Sequence, residues 1–331
     1  MKSRSLFSGF LFTAGLLHLV RPDLFSPALP VEGKLALNWA AGLLEILLAL
    51  ALWSTRWRDL AARGAALWFL LLTPLHLYVS YYGIAIFGIE TPALLWGRTA
   101  LQPLLFFWAL SLQEKGWIMA QRWTEVLFLH YEVEASELQK HVPYPLDLYE
   151  GKAVLSIVPF IMSRIRFPFL PAVPGLSRLY ELNLRTYVTH QGRGAVYFFT
   201  LDSNHLPGVC IARWFFGLPY RWRRLVLEHK ETYRFESDSL QLEAQVEEGS
   251  AESEFNRWAT ERYALVTDSG KVGVVEHAPW VLQKASVRLL KDEFSVLLGE
   301  QFRVQSFVGI SYAKQLDVRF RPFRSGTERR E

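Results

Sequence analysis

Residues 180–188 read Tyr-Glu-Leu-Asn-Leu-Arg-Thr-Tyr-Val, and this stretch decides the fold of the second half of the chain. Tyr180, Leu182, Leu184 and Val188 alternate with Glu181, Asn183, Arg185 and Tyr187, the period of two that belongs to a β-strand. One face therefore gathers an acid, an amide and a guanidinium, and such a face needs water or a lumen. The same period recurs outward from it, at 126–133, 153–162, 195–202, 232–236, 240–247, 263–267, 272–277 and 305–320. Turn residues separate these runs at Gln191-Gly192-Arg193-Gly194, Glu248-Gly249-Ser250 and Asp268-Ser269-Gly270-Lys271. Helical signals are few: 136–141, 207–216 and 255–260. Many short sequential strands predict a closed or nearly closed, mainly antiparallel β-barrel of the α+β class.

The first half has a different composition. Apolar runs at 6–20, 35–53, 65–87 and 93–112 come close to the length that a bilayer crossing requires, which predicts an all-α bundle of four transmembrane helices. Lys2, Arg4, Arg56, Arg58, Arg63, Lys115 and Arg122 fall on one side of such a bundle. Arg21, Lys34, Asp23, Glu32 and Glu90 fall on the other. The positive-inside rule then places both termini and the barrel in the cytoplasm, in a multi-pass protein of the inner membrane whose first partner is the lipid bilayer. Within the spans stand His18, Glu45, His76, Arg98 and Gln102, costly residues in lipid that usually face a bundle interior. They form a candidate polar site, with a Glu45–Arg98 pair as its centre. Snorkelling and structural hydrogen bonding are the alternatives. Pro74 and Pro103 interrupt two of the runs and predict kinks that help to open a pocket.

Charge and cysteine content narrow the rest. The chain of 331 residues carries a net charge of +4, too small an excess for a nucleic-acid binder despite its basic pI. Its single cysteine, Cys210, excludes an intrachain disulfide and a cysteine-rich metal site, and reads as a small buried hydrophobe. No phosphate-binding loop, nucleophile elbow or metal-ligand spacing occurs, so neither a cofactor nor a metal is expected.

The motifs LFLHYEV (127–133), ELNLRTYV (181–188), VYFFTLD (196–202), ARWFFGLPY (212–220), ERY (261–263) and APWVLQKA (278–285) stand in order over some two hundred residues. On them the segment 123–323 resembles the YqjF-like family of the acetoacetate-decarboxylase-like superfamily. That resemblance implies the decarboxylase barrel. It also implies that the segment supplying the Schiff-base lysine in the decarboxylases corresponds here to Ala212-Arg213-Trp214-x-x-Gly217-x-Pro219-Tyr220-Arg221. The lysine pair has become Tyr220 and Arg221, and neither forms an imine. Lys284 is the one reserve lysine within a matched motif. Residues 1–113, through GFLFTAGLLHLVRPDLFSPALP (9–30), TPLHLYVS (73–80) and WGRTALQPLLFFWAL (96–110), resemble DoxX-like membrane proteins. The domains are then 1–113, a linker 114–122, a barrel 123–323 and a tail 324–331.

In the barrel, Glu181, Asn183, Arg185, Arg213, Tyr220, Glu261 and Arg262 are the candidate ligand-binding residues. If Arg185 and Arg213 converge in the lumen they call for a small acidic or keto-acid-like ligand. The competing arrangement is an internal ion-pair network with Glu181 and Glu261. The leading reading is a binding protein. Its alternatives are a lyase or hydrolase without Schiff-base chemistry, a quinone-linked membrane redox subunit, and an interaction scaffold. The oligomeric state stays open.

Overall fold

The computed structural model describes residues 2–29, 31–114, 116–172, 177–293 and 307–325, and divides between Ile118 and Met119 into two compact units. The first holds helices α1 (Lys2–Val20), α2 (Lys34–Ala51), α3 (Arg58–Tyr82) and α4 (Pro92–Ser111). Three of them, α1 from Ser3, α2 and α3, are long and apolar enough to cross a bilayer. Leu43, Leu47, Leu50, Leu60 and Leu71 point outward from α2 and α3, as a lipid-facing surface would have them. Gly15 and Gly42 let α1 and α2 touch: a Cβ added at either would lie 2.6 Å from the other's carbonyl oxygen. Gly83, at a φ of 62°, terminates α3, and Pro92 opens α4, where a missing N–H costs nothing. The third expected run, 65–87, is shifted: α3 spans Arg58–Tyr82, and Arg58 near its start pairs with Glu114. Pro74 and Pro103 both lie inside helices.

The second unit is a large, mainly antiparallel sheet. Strands β1 (Met119–Val133), β2 (Ala153–Arg166), β3 (Leu179–His190) and β4 (Arg193–Ser203) form an antiparallel meander. Helix α5 (Ala135–Gln139) lies between β1 and β2, and α6 (Leu206–Ile211) follows β4. A single π-helical turn, Ala212–Phe216, and strand β5 (Tyr220–Trp222) come next, β5 running parallel to β4. Further along are β6 (Leu225–His229), β7 (Tyr233–Ser237), β8 (Leu240–Ser250), α7 (Glu254–Thr260), β9 (Ala264–Val266), β10 (Lys271–His277), β11 (Gln283–Asp292), β12 (Phe307–Phe320) and β13 (Arg324–Ser325). β12 pairs with β1, and its end pairs with β10. Through β9 and β4 the hydrogen-bonded path from β10 therefore runs round to β12 and meets β10 again. β11, β8, β7 and β6 extend it as an arm, and Leu227, Tyr233, Phe235, Leu242 and Ala244 of that arm pack on Leu182, Leu184 and Val188 of β3.

Several boundaries differ from expectation. β1 starts at Met119, inside the stretch 114–122 read as linker. Strands β5, β6 and β11 were not expected: β5 and β6 are only three and five residues long, and β11 mixes charged with apolar residues. The tail 324–331 begins as β13, paired with Lys271 and Val272, while residues 326–331 lie outside the described residues, as do 305 and 306 of the expected strand 305–320.

Candidate functional site

Both faces of β3 are buried from Glu181 to Val188. Leu182, Leu184 and Val188 enter the apolar core, so the polar face must look the other way, into a cavity of about 440 Å³ ringed by β1, β2, β3, β4, β9 and β10. Glu181, Asn183, Arg185, Tyr220 and Arg262 all line it. Its remaining wall is mostly apolar, with Trp123, Phe128, Phe160, Phe198, Trp280 and Phe320 prominent.

Glu181 is 3 % exposed and accepts a hydrogen bond from the Tyr220 hydroxyl at 2.6 Å. Burial pushes its carboxyl up to about 7, and the charge of Asp202 adds to this against the opposing hydrogen bonds from Tyr220 and Asn183. The Tyr220 phenol is pushed well up, by burial first and then by the neighbouring Glu181 charge. Asn183 presents a buried Oδ1 without a hydrogen-bond partner. Arg185, 9 % exposed, sits between two rings, its guanidinium carbon 5.4 Å from the Phe128 centroid and 5.7 Å from that of Tyr187. Its Nε has no hydrogen-bond partner, and among the described residues it joins no ion pair. Arg262 is committed differently, donating to Asp147 at 2.5 Å and to the Trp258 carbonyl at 2.6 Å.

Two expected members stand elsewhere. Arg213 is exposed on the outer side of the π-helical turn and does not line the cavity, because that turn sends Ala212 and Phe216 inward instead. Glu261 also lies off the cavity: its carboxylate accepts from the Trp280 amide at 2.8 Å and from the Tyr263 hydroxyl, and so fixes a wall residue. The anticipated network of Arg185 with Glu181 and Glu261 is therefore absent among the described residues. Lys284 is exposed on β11, and none of the described cavity residues is a lysine. Cys210, expected inside, is exposed on α6 because Val209 takes the buried position.

Two polar clusters escaped the sequence. His130 is fully buried, its Nδ1 2.7 Å from the Ser156 hydroxyl, and burial together with the Arg185 charge pushes it down to about 3. Glu125, at a bulge in β1 with a φ of 57°, accepts from Tyr312 at 2.7 Å and pairs with His229. The residues involved are scattered along the chain, and no local spacing marks them.

In the helical unit, His18, Glu45, His76, Arg98 and Gln102 do line one cavity, of about 730 Å³ and otherwise apolar. The partners are not those expected. Glu45 accepts from the Trp68 indole at 2.9 Å, while Arg98 Nε donates to His76 at 3.2 Å. His18 Nδ1 lies 2.6 Å from Asn38 Oδ1. Glu45 Oε2, Arg98 Nη1 and Gln102 Oε1 are buried without hydrogen-bond partners.

Residues 120–317, nearly the whole sheet unit, match the model of DUF2071, a family described as an uncharacterized conserved protein. The chain belongs to the DUF2071 family. The uncharacterized protein YqjF of Bacillus subtilis (strain 168) is similar to it, 36% identical over 235 residues that make up 65% of this chain and 95% of the relative. Solved structures with a similar fold include the acetoacetate decarboxylase of Legionella pneumophila, at 13% identity and a TM-score of 0.44 over 60% of this chain and 84% of that one. The enduracididine biosynthesis enzyme MppR with HEPES bound is another, at 12% identity and a TM-score of 0.46 over 63% and 89%. At these scores the likeness carries no chemistry over. Ahead of the DUF2071 segment, residues 7–113 match DUF8561, a domain of unknown function, so the DoxX-like resemblance finds no support there.

Proposed function

We propose that the sheet unit is a binding barrel whose lumen takes a small molecule with an apolar body and an acidic or keto-acid head. The observation that carries this is Arg185, a guanidinium nine-tenths buried on the cavity wall that pairs with no carboxylate among the described residues. A buried charge without a counterion costs several kcal/mol, and a bound anion relieves that cost while matching the planar donor fork. Asn183 Oδ1 offers an acceptor two residues along the same face, and the aromatic wall suits the rest of the ligand.

Native mass spectrometry of the purified full-length protein tests this by its cargo. A co-purifying carboxylate is expected, with Arg185→Gln weakening its binding by about 1.5–3 kcal/mol, the range for a hydrogen bond to a charged group. Arg213→Ala leaves binding unchanged, since that side chain faces away. Equal retention by the Arg185→Gln protein would end the proposal.

One observation favours an enzyme as the second reading. Glu181, near neutrality and hydrogen-bonded to Tyr220, is suited to move a proton at a ligand's head group. The chemistry would be that of a lyase or hydrolase without an imine. For the helical unit, the unpartnered groups of Glu45, Arg98 and Gln102 support a lipophilic guest with a polar head, the class to which a quinone belongs.

A further inference from the structure

The cavity of the sheet unit is closed on one side by a thin cap, made of α6, the π-helical turn and β5. Pro207, Ala212, Phe216, Leu218 and Tyr220 form its inner surface. Its outer surface is unusual for a face in water. Leu206, Trp214 and Trp222 are exposed, Trp214 to 81 %. Arg213, Arg223 and Arg224 are exposed between them, while Arg221 is held bidentately by Asp202. Residues 204–226 contain no Asp or Glu at all, in a chain that has 32.

We infer that the outer face of this cap docks on an anionic bilayer surface. Indole rings settle at the headgroup level, where an apolar ring plane and an N–H are both satisfied. Arginines flanking them meet lipid phosphates, and a nearby carboxylate would spoil that contact; the segment has none. A bilayer crossed by the helices would also be joined to the sheet unit by a short stretch of chain. Met119, where β1 begins, lines the same cavity as Ala212 and Phe216, and only residues 112–118 separate it from the end of α4. The inference stands apart from the identity of the cavity's ligand.

Cys210 is the chain's sole cysteine and is exposed on the cap, so a nitroxide placed there reports the docking directly. The full-length protein would be labelled and studied in detergent, in nanodiscs of phosphatidylcholine, and in nanodiscs that also contain phosphatidylglycerol. A water-soluble nickel relaxant should reach the label in detergent and be shut out in the phosphatidylglycerol discs, with oxygen access rising. Arg213→Gln, Arg223→Gln and Arg224→Gln should together restore nickel access, each lowering the docking constant about fivefold. Nickel access that is the same in phosphatidylglycerol discs as in detergent would overturn the inference. So would shielding already present in detergent, which means that protein covers the cap. Shielding equal in both kinds of disc and indifferent to the three substitutions would remove the anionic surface as the partner.

Discussion

Burial makes the Glu181 carboxyl reluctant to ionise. Its carboxyl rises from 4.5 to about 7 on folding, so the folded state takes up the proton more readily than the unfolded one. This group's contribution to stability is full below pH 4.5 and is lost as pH rises through 7, by about 3 kcal/mol for a shift of this size. His130 has the opposite sign: lowered from 6.5 to about 3, it contributes above pH 6.5 and loses that contribution as pH falls. The two overlap between pH 4.5 and 6.5, which makes the wild-type profile alone ambiguous. The difference in thermal midpoint between wild type and Glu181→Gln isolates the carboxyl, and it should fall steadily from pH 4.5 to 7. A flat difference would mean that water reaches Glu181. At the same scale, Arg185 and Arg213 look alike in sequence, and only the side of the backbone on which each emerges separates a cavity guanidinium from a surface one.

Elements decide how closely the parts approach. α1 and α2 cross where Gly15 meets Gly42, and a Cβ at Gly42 would also come within 2.8 Å of the His18 Cβ. Gly42→Ala therefore forces the two helices apart and should destabilise the helical unit by about 1–3 kcal/mol, as overpacking does in a tight interface. Thermal unfolding in detergent measures it, and an unchanged midpoint would show that the crossing can relax. The same displacement would disturb the His18–Asn38 contact that joins these helices at the cavity wall. In the sheet unit the corresponding element is the cap, whose π-helical turn ends at Gly217 with a φ of 66° and so lets the chain double back into β5. That reversal brings the Tyr220 hydroxyl to Glu181, thirty-nine residues earlier in the chain.

At the scale of the whole molecule, an apolar helical unit and a sheet unit are joined by a few residues, and the basic loops of the first motivate a proposal for the compartment of the second. Both termini and the sheet unit are proposed to be cytoplasmic. Reporter fusions after Glu90 and Glu331 check it: a periplasmic reporter should be active at Glu90 and a cytoplasmic one at Glu331. The reverse pattern would move the cavity and its ligand to the other compartment.

The alternation of 180–188 and of 240–247 was enough to assign strands, and the apolar runs were enough to assign helices, because period and composition act on neighbouring residues. The polar face of β3 could be read directly as well, since Glu181, Asn183 and Arg185 share a side of any regular strand. Tertiary structure alone decided what that face meets. It turned Arg213 and Cys210 outward, gave Glu261 to Trp280, and paired Glu45 with Trp68 rather than with Arg98. It also assembled Glu125, His229 and Tyr312 from three distant strands and segments. Which of several equivalent polar residues is buried depends on packing between elements remote in sequence, and no local pattern records that packing.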